Sequence, residues 1–96
     1  MNPTKAILNS ILIGVYCLVQ VFLGLFTLVG LATHRYPENY VHTLGEILWA
    51  IKNSIGMHSV SFLLTGLEFF ISKKVFYVML VFSIISAITL TIAFLR

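Results

Sequence analysis

The chain has 96 residues, of which 59% are hydrophobic and 9% charged, and its mean hydropathy is +1.04. A soluble domain carries roughly 25% charged residues, so this chain lacks the solvated surface of a globular protein, and most of it must face lipid or other apolar protein. Its formal charge of +3 comes from six scattered cations and gives no case for a nucleic-acid partner.

The length allows a single domain, 1–96, and the composition predicts an all-α integral membrane protein. Asn2-Pro3-Thr4 opens the first helix, with Asn2 suited to capping and Pro3 to a position whose N–H is not needed. Lys5 marks the headgroup level. From Ile7 to Ala32 the only ionisable group is the Cys17 thiol. A helix of that length reaches roughly 39 Å, enough to cross a ~30 Å hydrocarbon core with some tilt. Residues 6–32 are therefore the first predicted transmembrane helix. The run exceeds the ~7–15 residues of a signal-peptide core, so it reads as a retained helix. Ser10, Gly14, Cys17 and Gly24 share one stripe, which predicts close approach of a neighbouring helix, with Cys17 packed as a small buried residue. Gln20 lies off that stripe and requires an inter-helix hydrogen bond, because an unsatisfied amide in hydrocarbon is costly.

Residues 33–40 form a polar connection in which Arg35, Tyr36 and Tyr40 suit the interface. Thr43-Leu44-Gly45-Glu46 matches the S/T-x-x-E capping box. Behind it Leu44, Ile47, Leu48, Ile51 and Ile55 make a helical stripe. Residues 43–53 are read as an amphipathic helix on the membrane or against the bundle, anchored by Trp49. Residues 54–72 are the second predicted transmembrane helix and the most polar of three. They carry His58, Ser59, Ser61, Thr65 and Glu68, with Gly56, Ser59 and Gly66 as a small-residue face. A span this polar should be covered by other helices rather than by lipid. A single bent helix over 43–72 is the alternative. Lys73 and Lys74 form a basic turn, Ser72 is placed to cap, and residues 75–95 are the third predicted span, with Ser83 and Ala87 on its small face. Arg96 lies at the opposite interface.

Enzyme motifs are absent: there is no phosphate-binding glycine loop, no paired cysteine and no aspartate. Adjacent His58 and Ser59 point apart on a helix, so they are not a nucleophile–base pair. His58 is the candidate cofactor residue, uncharged and facing the first or third helix or a partner. With a second imidazole such as His34 or His42 it could ligate haem iron, and alone it could line a quinone or proton path. The bland reading is a histidine hydrogen-bonded to a neighbouring helix, and no cofactor is predicted as required. Glu68 is expected near Lys73 and Lys74, within reach of a basic group or water.

Leu64-Thr65-Gly66-Leu67-Glu68 is similar to the L-x-G-L-E stretch around the intramembrane glutamate of the small three-helix subunit of respiratory complex I. The similarity covers five residues. The lysine pair downstream departs from that family's pattern, and no later helix carries a second glutamate, so the function is not carried over.

The expected function is a small non-enzymatic accessory or structural subunit of a larger membrane complex, such as a respiratory or transport assembly. Its partners would be the lipid bilayer and other membrane subunits or copies of itself. The alternatives are an oligomeric pore-forming or pore-blocking protein, holin-like or immunity-like, and a haem- or quinone-associated anchor using His58. Lys5, Lys73 and Lys74 on one side balance Arg35, Lys52 and Arg96 on the other. The lysine pair in the shortest loop predicts the N-terminus inside and the C-terminus outside.

Overall fold

A computed structural model describes residues 2–96 as four helices joined by short connections, with no strand among the described residues. Helix α1 spans Pro3–Ala32. The Asn2 carboxamide oxygen accepts from the Lys5 N–H at 2.8 Å, and proline occupies the first turn. Helix α2 spans Leu44–Met57, where the Thr43 hydroxyl accepts from the Glu46 N–H at 3.2 Å. Helices α3 and α4 span Ser59–Glu68 and Lys73–Phe94, and Ser72 caps the latter through the Val75 N–H at 3.5 Å.

The structure redraws the middle of the chain. The amphipathic helix expected at 43–53 and the span expected at 54–72 are not divided there, because α2 continues through both positions to Met57. The division falls at His58, whose φ of −91° and ψ of 9° take it out of helical geometry. Gly56 and Ser59, both weak helix formers, flank the break. Helix α3 then stops at Glu68, and 69–72 form the turn into α4. Two helices, α1 and α4, are long and apolar enough to cross a membrane by length and composition. The expected third span is not among them: α3 has ten residues, and α2 is amphipathic.

The four helices form an elongated bundle about 55 Å long. Helix α4 packs against the other three, and α1 also packs against α3. The apolar core is split in two. Leu12, Tyr16, Leu64 and Met79 form one cluster toward the lysine end. Ala50, Leu90, Ala93 and Phe94 form the other, toward the chain's C-terminus. Gly30 allows the close approach at this second end, because a Cβ there would lie 3.1 Å from the Ala93 Cβ.

Candidate functional site

Between the two apolar clusters lies a layer of polar side chains, and two of them, Ser54 and His58, stand apart in their hydrogen bonding. Several hydroxyls are satisfied within their own helix: Thr27, Thr65, Thr89 and Thr91 each donate to the carbonyl four residues earlier, at 2.7–2.9 Å. Others bond across helices. Tyr16 donates to the Met79 carbonyl at 3.1 Å and is 2.6 Å from the Ser83 hydroxyl, which donates in return. Gln20 donates from Nε2 to the Ser61 hydroxyl at 2.8 Å, joining α1 to α3. The Asn9 amide nitrogen, turned toward α3, donates to both Glu68 carboxylate oxygens at 2.8 and 2.7 Å.

His58 and Ser54 are the exceptions. His58 is 1% exposed and Ser54 fully buried, yet both imidazole nitrogens and the Ser54 hydroxyl lack any partner. An unpartnered buried polar group costs about 1–3 kcal/mol. Helices α1 and α4 cover His58 almost completely, both ring nitrogens included. Its ring lines the floor of a groove of about 300 Å³ between α1 and α4, with Gly24, Thr27, Phe82, Ser86 and Thr89 on the walls. A Cβ on Gly24 would meet nothing within 4 Å, so the glycine adds open width there. An apolar groove of about 650 Å³ continues along the same two helices, past Cys17, Val21 and Val78 to Lys74. Gln20 and Phe82 line both. The break at His58 puts the ring there: it lies fourteen residues beyond the start of α2, roughly 21 Å of helix. The sequence reading counted it one turn from a span start at Ser54, whereas the helix leading to it already begins at Leu44.

The three histidines do not converge. His34 approaches the Arg96 guanidinium at 3.5 Å, and His42 belongs to a strap at the end of α4. The groove walls around His58 hold no second histidine, and the described residues contain no group of three or more His, Cys, Asp or Glu positioned for a metal. A pair of axial imidazoles is therefore not assembled within the chain.

Glu68 lies toward the lysine end, but its partner in the fold is Asn9. It is fully buried against Asn9, whereas Lys73 and Lys74 are exposed, with the Lys73 Nζ 5.7 Å from the Phe69 ring centre. Asn9 is the partner that the sequence reading passed over. In an antiparallel pairing, a polar residue two turns into α1 meets the last turn of α3.

The small-residue faces divide. Ser83 and Ala87 are buried in the bundle. Ser10, Gly14, Cys17, Gly24, Gly56, Ser59 and Gly66 are exposed, and a Cβ at any of these four glycines meets nothing within 4 Å. Within the chain no helix covers these faces, and Cys17 is not the buried thiol expected of it. The close glycine contact is instead Gly30 to Ala93.

Both ends are polar. Lys5, Lys73 and Lys74 are exposed at one. At the other, Arg35 and Arg96 are exposed, Trp49 packs edge-on against Phe94 at 5.4 Å, and residues 33–43 strap the end of α4. The Arg35 and Tyr36 N–H groups donate to the Arg96 carbonyl. His42 places Nε2 at 2.6 Å from the Leu95 carbonyl and Nδ1 at 3.0 Å from Glu46. Tyr40 donates to the same carboxylate at 2.7 Å and stacks on Tyr36. The Tyr40 hydroxyl, then His42, hold the Glu46 pKa below its ordinary value. The expected capping box is thus half-made, for Glu46 serves Tyr40, His42 and the Thr43 hydroxyl. No family model, no curated protein and no solved structure matches this chain.

Proposed function

We propose that this protein is a small, non-enzymatic integral membrane protein that crosses the bilayer three times and serves as an accessory subunit of a larger membrane assembly. The crossings are α1, the broken α2–α3 arm and α4. The arm runs the length of the bundle: His42 bonds the Leu95 carbonyl at the end of α4, and Glu68 bonds Asn9 near the start of α1. If α1 spans lipid, an arm of that reach spans it too. Lys5, Lys73 and Lys74 then lie together on the inner side, following the positive-inside bias of short loops.

The observation that carries the subunit reading is the outward direction of the small-residue faces. Gly14 on α1, and Gly56 and Gly66 on the middle arm, leave flat patches with open space at each missing Cβ. In lipid, where there is no hydrophobic drive between helices, such patches let another backbone approach and gain dispersion contacts.

Purification from native membranes in mild detergent, followed by native electrophoresis, tests this reading. The expected result is co-migration with other membrane proteins, weakened by Gly14→Leu and Gly66→Leu, whose side chains would hold a partner away. A homo-oligomer without partners would favour the pore-forming or pore-blocking alternative. A strict monomer would remove the subunit reading.

A further inference from the structure

The groove between α1 and α4 has an unmet hydrogen-bonding demand at its floor and an apolar extension toward one membrane surface. We propose that it is a lateral binding site for a prenylquinone, with the quinone ring over His58 and the isoprenoid tail along the extension toward Lys74. This goes beyond the subunit reading and does not depend on it.

The floor defines the headgroup. A neutral imidazole offers one N–H donor and one acceptor nitrogen, and at His58 neither has a partner. A quinone carbonyl accepts from the donor, and a quinol hydroxyl serves the acceptor. Thr27 and Thr89 on the walls already bond their own helices, whereas His58 beside this space is left without a partner, its nitrogens covered and reached only when the ring turns toward the groove. The walls define the charge. They contain no Lys, Arg, Asp or Glu, so an anionic phosphate or carboxylate head would lose its solvation without a counter-charge. Lys74 stands only at the far end of the extension. The shape fits a flat ring with a chain. The space beside His58, about 300 Å³ next to Phe82 and the bare Gly24, accommodates one or two fused rings. The extension of about 650 Å³ along Cys17, Val21 and Val78 is apolar and opens to the lipid side of the bundle. Binding pockets of this kind pair a mostly apolar lining with few placed polar groups.

The test uses the purified full chain in dodecylmaltoside, titrated with decylubiquinone and followed by thermal unfolding. A ligand that binds only the folded state raises the melting temperature saturably. Wild type should show that rise. Gly24→Leu, which fills the groove while leaving His58 in place, should abolish it. His58→Leu should weaken the apparent Kd about tenfold, the equivalent of one lost hydrogen bond. Circular dichroism checks that the variants are folded, and Gly24→Leu decides the outcome if His58→Leu does not fold. Absence of a saturable rise in wild type would overturn the proposal, as would an equal rise in Gly24→Leu. So would displacement of decylubiquinone by dioleoylphosphatidylglycerol, which would assign the groove to bilayer lipid. Displacement by haemin with a shifted Soret band would overturn it equally and assign His58 to iron.

Discussion

Two histidines in this chain live under opposite rules. His42, in the polar strap over the end of α4, has an acceptor at each ring nitrogen, the Leu95 carbonyl and the Glu46 carboxylate. His58, in the middle of the bundle, has no partner at either nitrogen, although it is almost entirely buried. The strap lies where water can replace any bond that is lost, yet each ring nitrogen there faces an oxygen. The mid-bundle layer lies where a lost bond cannot be replaced, yet it carries an open one. Buried polar groups elsewhere in the bundle are paired, as in Asn9–Glu68 and Gln20–Ser61, with Ser54 the other exception. In a bundle whose other buried side chains are largely paired, an unpartnered imidazole is the feature that the quinone proposal explains.

The contrast is broken most strongly by creating a second orphan in the interior. Asn9→Leu removes both donors to Glu68, whose carboxyl is fully buried. It should cost about 2–3 kcal/mol, read as a lower melting temperature in detergent. Glu68→Gln in the same background should recover part of that loss, because a neutral amide is cheaper to leave unpaired. Tyr16→Phe is the intermediate case. It removes the bonds to Met79 and Ser83 while keeping the ring, and should cost about 1 kcal/mol.

The same logic reverses sign at His58. With no ligand present, His58→Leu removes two unpaired nitrogens from an apolar setting and should raise the melting temperature, by the equivalent of about 1 kcal/mol. A loss of stability instead would mean that the imidazole has a partner within the fold.

The smallest effect belongs to the strap. Its neighbours hold the Glu46 pKa below the ordinary value, so the carboxylate's contribution is present above the unfolded-state value. It is lost only as pH falls through the depressed folded-state value. Protection of the Arg35 and Tyr36 amides, which bond the Arg96 carbonyl, should therefore be retained down to the ordinary carboxylate range once the intrinsic pH dependence of hydrogen exchange is divided out. The opening equilibrium should rise below it, and Glu46→Gln should abolish that step.

Much of this arrangement was legible in the sequence. The uncharged runs in α1 and α4 and the caps at Asn2, Thr43 and Ser72 are local signals, and they sit where their residues say. The middle arm was less legible because two signals competed. The amphipathic stripe at 44–55 argued for one element, and the polar run after Ser54 argued for another. The hydrogen-bonded backbone followed neither boundary, and the chain broke at His58 between Gly56 and Ser59. The small-residue stripes announced close packing but not whose. Gly30 makes the intramolecular contact with Ala93, while Gly14 and Gly66 look outward. The partner of Glu68 was hidden because Asn9 lies fifty-nine residues away in sequence and meets it only once the helices fold antiparallel.

The claim beneath both readings is that the broken α2–α3 arm crosses the membrane with α1 and α4. Cysteines placed singly at Glu38 and Ser72 in a Cys17→Ala background, and labelled with an impermeant maleimide in oriented vesicles, test it directly. The account predicts that the two positions label from opposite sides of the membrane. Labelling of both from the same side would contradict it, leaving α1 and α4 as the two crossings with residues 33–72 on one face.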